Sequence, residues 1–404
     1  MDTEQKLTIL GNAAKYDICA STSAPQKRPK DQDYIGSNAP AGICHSYTPD
    51  GRCVSLLKVL MTNSCKNNCK YCVNRVSNDF ERVSFEPEEL ARLFMELYRR
   101  NYLEGIFLTS GVQKSTAYTM GRMIETLEIL RFKYKYRGYA HLKALPHAPT
   151  DLIERGAQLA DRMSVNLETP NPDRLKVIAE EKNFMLDLLE PVNIIQKQIK
   201  NGLLKAGQTT QFVVGAAGET DAELLRTTAW LYKKKDMKRV YFSAFIPPSP
   251  FHSLTSLPVP LLREHRLYQA DWLMRFYQFE INDLVLQKDQ NLSLEMDPKL
   301  VFAIKNADRF PIEINLAPFK TLLKIPGVGP TAARRIYRAR QDNKLTDINE
   351  LKNMGVVVKR AKPFILINGK AQGSVKNIMT VKQLELFQSM TSSLASAQSP
   401  FLLT

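Results

Sequence analysis

Six cysteines fall at positions 19, 44, 53, 65, 69 and 72, and none follows Cys72. Three of them share one short stretch, Cys65-Lys-Asn-Asn-Cys69-Lys-Tyr-Cys72. Six cysteines in 404 residues are too few for a disulfide scaffold. Clustering of this kind reads as metal or cluster ligation. Three thiolates on one loop can hold three irons of a [4Fe–4S] cluster and leave the fourth iron without a protein ligand. An electron-transfer cluster would take a fourth cysteine nearby, and a structural zinc site a fourth Cys or His. The open iron is the chemically productive feature, because it can bind an external ligand. Another kind of metal site is the alternative reading of the triplet alone.

The elements that must position this loop are legible from the apolar patterning. Candidate strands lie at 54–61, 105–109, 138–145, 162–168, 209–214 and 239–246. Helices fall between them, such as 87–101, entered through Pro87 with Glu88 and Glu89 in its first turn. A second helix, 221–235, starts at Thr220-Asp221. Six strand–helix units imply parallel pairing through right-handed crossovers. The fold class expected is α/β, a partial (βα)6 TIM-like barrel followed by a small all-α domain. An open doubly wound sheet is the alternative. The domains expected are an N-terminal extension (1–53), the barrel (54–250), a helical connector (251–315), a hairpin module (316–370) and a poorly ordered tail (371–404). The aromatic stripe Tyr268, Trp272, Phe276 and Phe279 on the connector helix, 261–280, reads as core.

The triplet follows the first barrel strand directly, so it sits at the carboxyl-terminal mouth, where such barrels place their chemistry. CxxxCxxC with Tyr71 before the last cysteine resembles the signature of radical S-adenosylmethionine (SAM) enzymes. That resemblance implies a partial barrel with Cys65, Cys69 and Cys72 on the cluster and SAM on its open iron. One electron then yields a 5′-deoxyadenosyl radical that abstracts hydrogen from substrate. Tyr71, Ser110, Gly111, Asn166, Glu168 and Gly215 are the cofactor-binding candidates. Thr109-Ser110-Gly111 is similar to the family's glycine-rich segment, without its Gly-Glu part. Asn166-x-Glu168 resembles the ribose-binding position. Gly215 belongs to a stretch similar to GxIxGxxE, in which Gln211 replaces the first glycine and Glu219 falls one residue late. On strand three Tyr139, His141 and Lys143 share a face. His141 and Lys143 are the catalytic candidates, with a satisfied core histidine as the alternative for His141. Cys53 precedes the strand that Cys65 follows, so about 25 Å separates them. A second cluster at Cys19, Cys44 and Cys53, with His45, is therefore a separate question, and small buried thiols are the plainer reading.

Residues 322–336, LLKIPGVGPTAARRI, resemble the helix–hairpin–helix motif of DNA repair proteins. Gly327, Val328 and Gly329 would form the turn, letting the backbone approach a phosphate. Thr331, Arg334 and Arg335 complete the DNA-binding candidates. Residues 351–365 read as a second, degenerate copy. A DNA glycosylase is the weaker comparison, since Pro330-Thr331 stands where its lyase members carry a lysine.

The chain carries 56 Lys+Arg and 41 Asp+Glu, a net charge of +15, with pI near 9.4. Residues 320–370 hold 12 basic and 3 acidic residues, a local +9. The runs Arg131–Lys143 and Lys233–Arg239 precede strands and read as solvated helix ends. At 44% hydrophobic and 24% charged, the composition excludes wholesale disorder. No apolar run is long enough to cross a membrane and no signal peptide is visible, so a cytoplasmic location is expected. The combination resembles the radical SAM proteins described as DNA modification or repair proteins, over roughly 6–365. It implies a partial barrel plus hairpin module, duplex DNA as partner, an electron donor of flavodoxin or ferredoxin type, and a uracil-DNA-glycosylase-like protein. The leading expectation is DNA repair or modification by radical chemistry. Radical modification of RNA and a non-catalytic redox-sensing DNA binder are the alternatives.

Overall fold

A computed structural model describes residues 1–14, 42–47, 53–247 and 258–373. Cys19 and the rest of 15–41, with 48–52, 248–257 and the residues beyond 373, lie outside the described residues. Over the described residues the chain forms two compact units, Met1–Glu219 with Trp230–Val259, and Thr220–Ala229 with the residues from Pro260 on.

The first unit opens with helix α1 (Thr3–Ala13) and strand β1 (Ile43–Tyr47). Then come β2 (Cys53–Leu60), α2 (Pro87–Arg99), β3 (Gly105–Thr109), α3 (Thr116–Glu128) and β4 (Tyr139–Lys143). α4 (Thr150–Leu159), β5 (Arg162–Ser164), α5 (Pro172–Ile178), α6 (Glu190–Lys200), β6 (Gln208–Val214), α7 (Asp221–Lys234) and β7 (Met237–Ala244) follow. α7 begins in the stretch grouped with the second unit. The sheet order is β1 through β7 in sequence, with β2–β7 parallel and β1 antiparallel at the edge. A doubly wound sheet would reverse its strand order at a switch point. None occurs, so the doubly wound alternative falls and the sheet curls as a half-barrel.

Register assigns the two faces. Leu57, Ile106 and Ala140 are aligned, as are Leu108 and Leu142 with Met163 beside it, and all are buried. Gly156 of α4 sits against Leu142 and Met163, so this face meets the helices. The opposite, inner face aligns Lys58, Phe107, His141 and Arg162, then Lys143 with Ser164, then Thr209 with Arg239. An apolar outer face and a polar inner face are what a barrel that works on a polar ligand requires.

The expected elements shift at their ends. Strand 138–145 shortens to β4, and 162–168 to β5 with a bridge from Glu168 to Phe212. Glu168 adopts φ +64, so the extended chain breaks at the bridge residue itself. Helix 87–101 ends at Arg99 because Asn101 turns left-handed at φ +58. The extension 1–53 is not separate, since β1 pairs with β2 and α1 packs on it.

The second unit holds α8 (Leu261–Phe276), α9 (Pro298–Lys305), β8 (Ile312–Glu313), α10 (Phe319–Lys324), α11 (Pro330–Asp342), α12 (Ile348–Asn353), α13 (Val358–Ala361), β9 (Ile365–Ile367) and β10 (Lys370–Ala371). The connector and hairpin module are thus one unit, and a small sheet, β10-β9-β8, adds to its helices. The aromatic stripe is not all core. α8 buries Leu267, Ala270 and Leu273, whereas Trp272 and Phe276 are 49% and 45% exposed.

Candidate functional site

The cysteine loop leaves the carboxyl end of β2 with little regular structure, so other groups must fix it. Asn63 donates from Nδ2 to the Glu81 carbonyl and accepts from the Val83 N–H. The Arg82 guanidinium donates to the carbonyls of Asn63, Asn74, Arg75 and Asn78 at 2.6–2.9 Å and stacks on Phe80. Against the loop lies Thr109-Ser110-Gly111. The Gly111 N–H donates to the Thr62 carbonyl, and the Val112 N–H to the Cys65 sulfur at 3.3 Å. A Cβ at Gly111 would stand 2.9 Å from the Ser64 carbonyl and 3.2 Å from Cys65 Cβ. Only a glycine lets the two segments approach this closely. Ser110 Oγ is buried and makes no hydrogen bond among the described residues.

On the far side of the loop, the Asn68 N–H donates to Glu181, and the Cys69 thiol lies 3.5 Å from the same carboxylate. Lys182 donates to the Tyr71 hydroxyl at 3.2 Å, and Tyr71 also hydrogen-bonds Glu168. Burial pushes the Cys69 thiol up to about 11 and the Cys72 thiol up to about 12. Burial opposes the Lys182 charge, but Cys69, Glu168 and Cys72 outweigh it and hold its pKa above the ordinary value. Iron binding therefore has to release protons here. Along the inner face, His141 stacks on Phe107, with ring centroids 4.1 Å apart, and bonds Ser164 Oγ at 2.9 Å. That is the satisfied core histidine of the alternative reading. Lys143, half-buried, lies two residues nearer the mouth. Asn166 is half-buried and Glu168 buried. Gly215 takes φ +84, and its N–H is bound by Glu219, which also accepts from Ala217. Glu219 thereby closes its own loop.

Residues 59–231 match the family model described as the Radical SAM superfamily. They are similar to a radical SAM domain. The threonylcarbamoyladenosine tRNA methylthiotransferase MtaB of Thermotoga maritima is 24% identical over 204 residues, 49% of this chain and 45% of that protein. The chain thus spans less than half of that relative's length. Among solved structures, the FeFe-hydrogenase maturase HydG of Carboxydothermus hydrogenoformans is 18% identical with a TM-score of 0.43, over 53% of this chain and 50% of its own. Methylornithine synthase (PylB) is 14% identical with a TM-score of 0.43, over 53% and 60%.

Members of this superfamily use a [4Fe–4S] cluster and SAM. The residues present fit that pair. Three cysteines share one loop, beside which Ser110 Oγ lies buried without a partner and Gly111 is bare of side chain. Among the described residues no three His, Cys, Asp or Glu side chains converge as ligands of one ion. A cluster that spreads its cysteines over three irons does not need such convergence. Cys53 heads β2, at the other end of the strand from Cys65. His45 and Cys53 stand 3.6 Å apart on one face of the β1–β2 pair, and Cys44 projects from the other.

In the second unit the stretch expected to form the first hairpin holds α10 and α11, joined by 325–329, and the expected second copy holds α12 and α13, joined by 354–357. The roles within them differ from those expected. Gly327, at φ +82, faces the second hairpin, where a Cβ would stand 2.6 Å from the Val357 carbonyl. Its own carbonyl accepts from the Val357 N–H. Val328 is 1% exposed, so its side chain packs in the core and is withdrawn from any surface contact. Gly329 is extended at the start of α11 and has room for a Cβ. Thr331, Arg334 and Arg335 are exposed, whereas Arg340 is tied to the Ile314 carbonyl. Buried Lys299 donates to the Val328 carbonyl at 2.6 Å, and burial pushes its pKa down to about 7. Arg82, Glu181 and Lys182 had no sequence signal. The last two reach the cysteines from about 110 residues away.

Proposed function

We propose that this protein is a radical SAM enzyme that modifies a nucleic acid, with a structured RNA as its substrate class. The carrying observation is the three-cysteine loop at the carboxyl end of β2, met by Ser110 and Gly111 within the stretch similar to a radical SAM domain. In this reading Cys65, Cys69 and Cys72 hold the cluster, and Ser110, Gly111, Asn166, Glu168 and Gly215 line the SAM side. When bound and given one electron by a flavodoxin- or ferredoxin-type donor, the pair supplies a radical that takes a hydrogen atom from the substrate. Tyr71, between Lys182 and Glu168, braces the loop against the end of β5. Lys143 faces the interior from β4 and would hold an anionic part of the substrate, while His141 fixes the wall beneath it.

The RNA reading is supported by a relative named for a tRNA modification and by the basic second unit. Duplex DNA is the second reading, favoured by the paired hairpins with exposed Thr331, Arg334 and Arg335. The reconstituted, reduced protein is expected to cleave SAM to 5′-deoxyadenosine, and Cys69→Ala to abolish it. A variant that cleaves as well as wild type sinks the enzymatic reading. Competition between a structured RNA and a duplex DNA of equal length decides the substrate class.

A further inference from the structure

Tyr268, Trp272 and Tyr277 wall a cavity of about 510 Å³ in the second unit, with Lys299, Gly329 and Arg360 on its other sides. That size falls within the roughly 300–1,000 Å³ range of small-ligand pockets. The aromatic wall is exposed where a helix of this kind would ordinarily bury it. α8 turns Leu267, Ala270 and Leu273 into the unit and leaves the Trp272 indole in the open beside Phe276, ring centroids 4.6 Å apart. Asp297, the acidic group in the cavity, is already paired with Arg360 at 2.5 Å and caps the Leu300 N–H. Arg360 is thereby engaged, and Lys299 donates to the Val328 carbonyl at 2.6 Å, so the cavity's long cations are spent within the fold and its aromatic interior favours a flat group over a phosphate. The surrounding surface favours a polyanion, with 12 basic and 3 acidic residues over 320–370 and Arg334 and Lys359 exposed.

We propose that this cavity receives one unpaired nucleobase of a nucleic-acid strand, stacked on Trp272, while the strand's phosphates lie along the basic hairpin surface. The inference rests on the nucleic-acid reading above and adds how the strand is held. A base inside a duplex cannot offer its face to an indole, so the site selects unpaired nucleotides. Unpaired RNA and single-stranded DNA share that chemistry.

The test uses the full chain with Trp230→Phe, which leaves Trp272 as sole reporter of the two tryptophans. Four probes are titrated: an RNA hairpin with an unpaired loop, single-stranded DNA, a fully paired duplex and a mononucleotide. The unpaired strands are expected to quench Trp272 emission; with fluorescein-labelled strands, whose anisotropy reads binding without a tryptophan, Trp272→Ala is expected to weaken them about ten-fold or more. Trp272→Phe should stay within a few-fold of wild type, which separates stacking from misfolding. The tighter of the two unpaired probes identifies the natural strand. Binding without quenching, unaffected by Trp272→Ala, overturns the pocket and leaves the nucleic-acid reading standing. Equal quenching by the duplex also overturns it. Absence of binding to every polynucleotide overturns both.

Discussion

The four carbonyls that Arg82 binds all belong to the segment carrying the cysteines, which has almost no backbone ladder of its own. A planar fork of donors suits that task, and a lysine's point charge does not. Its guanidinium is also held near Cys65 and Cys72, so one side chain both shapes the loop and faces its thiols with positive charge. Arg82→Gln leaves several carbonyls without a donor, a cost of roughly 1–3 kcal/mol. Iron and sulfide content after reconstitution is expected to fall to about half or less, with a lower urea midpoint. Arg82→Lys should fall between. Full iron loading at an unchanged midpoint would show that the loop holds its shape without this clamp.

At the scale of elements, the two hairpin glycines separate by what a methyl group would meet. Gly327→Ala places Cβ against the Val357 carbonyl at a positive φ. It is expected to destabilise the second unit by about 2 kcal/mol or more. Gly329→Ala meets nothing nearer than the Tyr277 hydroxyl at 3.6 Å and should change stability by under about 1 kcal/mol. Thermal unfolding of the two variants checks this, and equal losses would refute the packing role of Gly327. The same contrast explains what the residues disclosed in advance. The barrel strands were legible because each is a short, largely apolar run and helices separate each from the next, and the cysteine loop because its ligands are local. β1 was not, since its residues Ile43-Cys44-His45 show no clear alternation. Trp272 read as core because helical spacing identifies a stripe without saying whether another element covers it. For Gly327 the motif names a glycine without naming its neighbour, and the Val357 carbonyl beside it had no signal in the sequence.

For the whole chain, net charge is the property that reaches beyond any one element, and 9 of the 15 excess positive charges lie in residues 320–370. Some of these are committed to the fold: Arg340 holds the Ile314 carbonyl, Lys324 pairs with Asp283 and Arg360 with Asp297. Arg334, Arg338 and Lys359 are exposed and lie outside those ion pairs. If such groups contact phosphates, binding must release counterions, and the logarithm of the association constant falls linearly with the logarithm of salt concentration. Each contact contributes a slope of roughly 0.7 on single strands and 0.9 on duplex. Replacing all three with alanine is therefore expected to make the slope shallower by about 2–3, while leaving the quenching of Trp272 at saturation intact. The measurement is a binding titration at several salt concentrations with one RNA probe. An unchanged slope would mean that this charge solvates the surface and takes no part in binding. A shallower slope with Trp272 still quenched would separate the two contributions, charge setting how tightly the strand is drawn in and the aromatic wall setting which nucleotide is held.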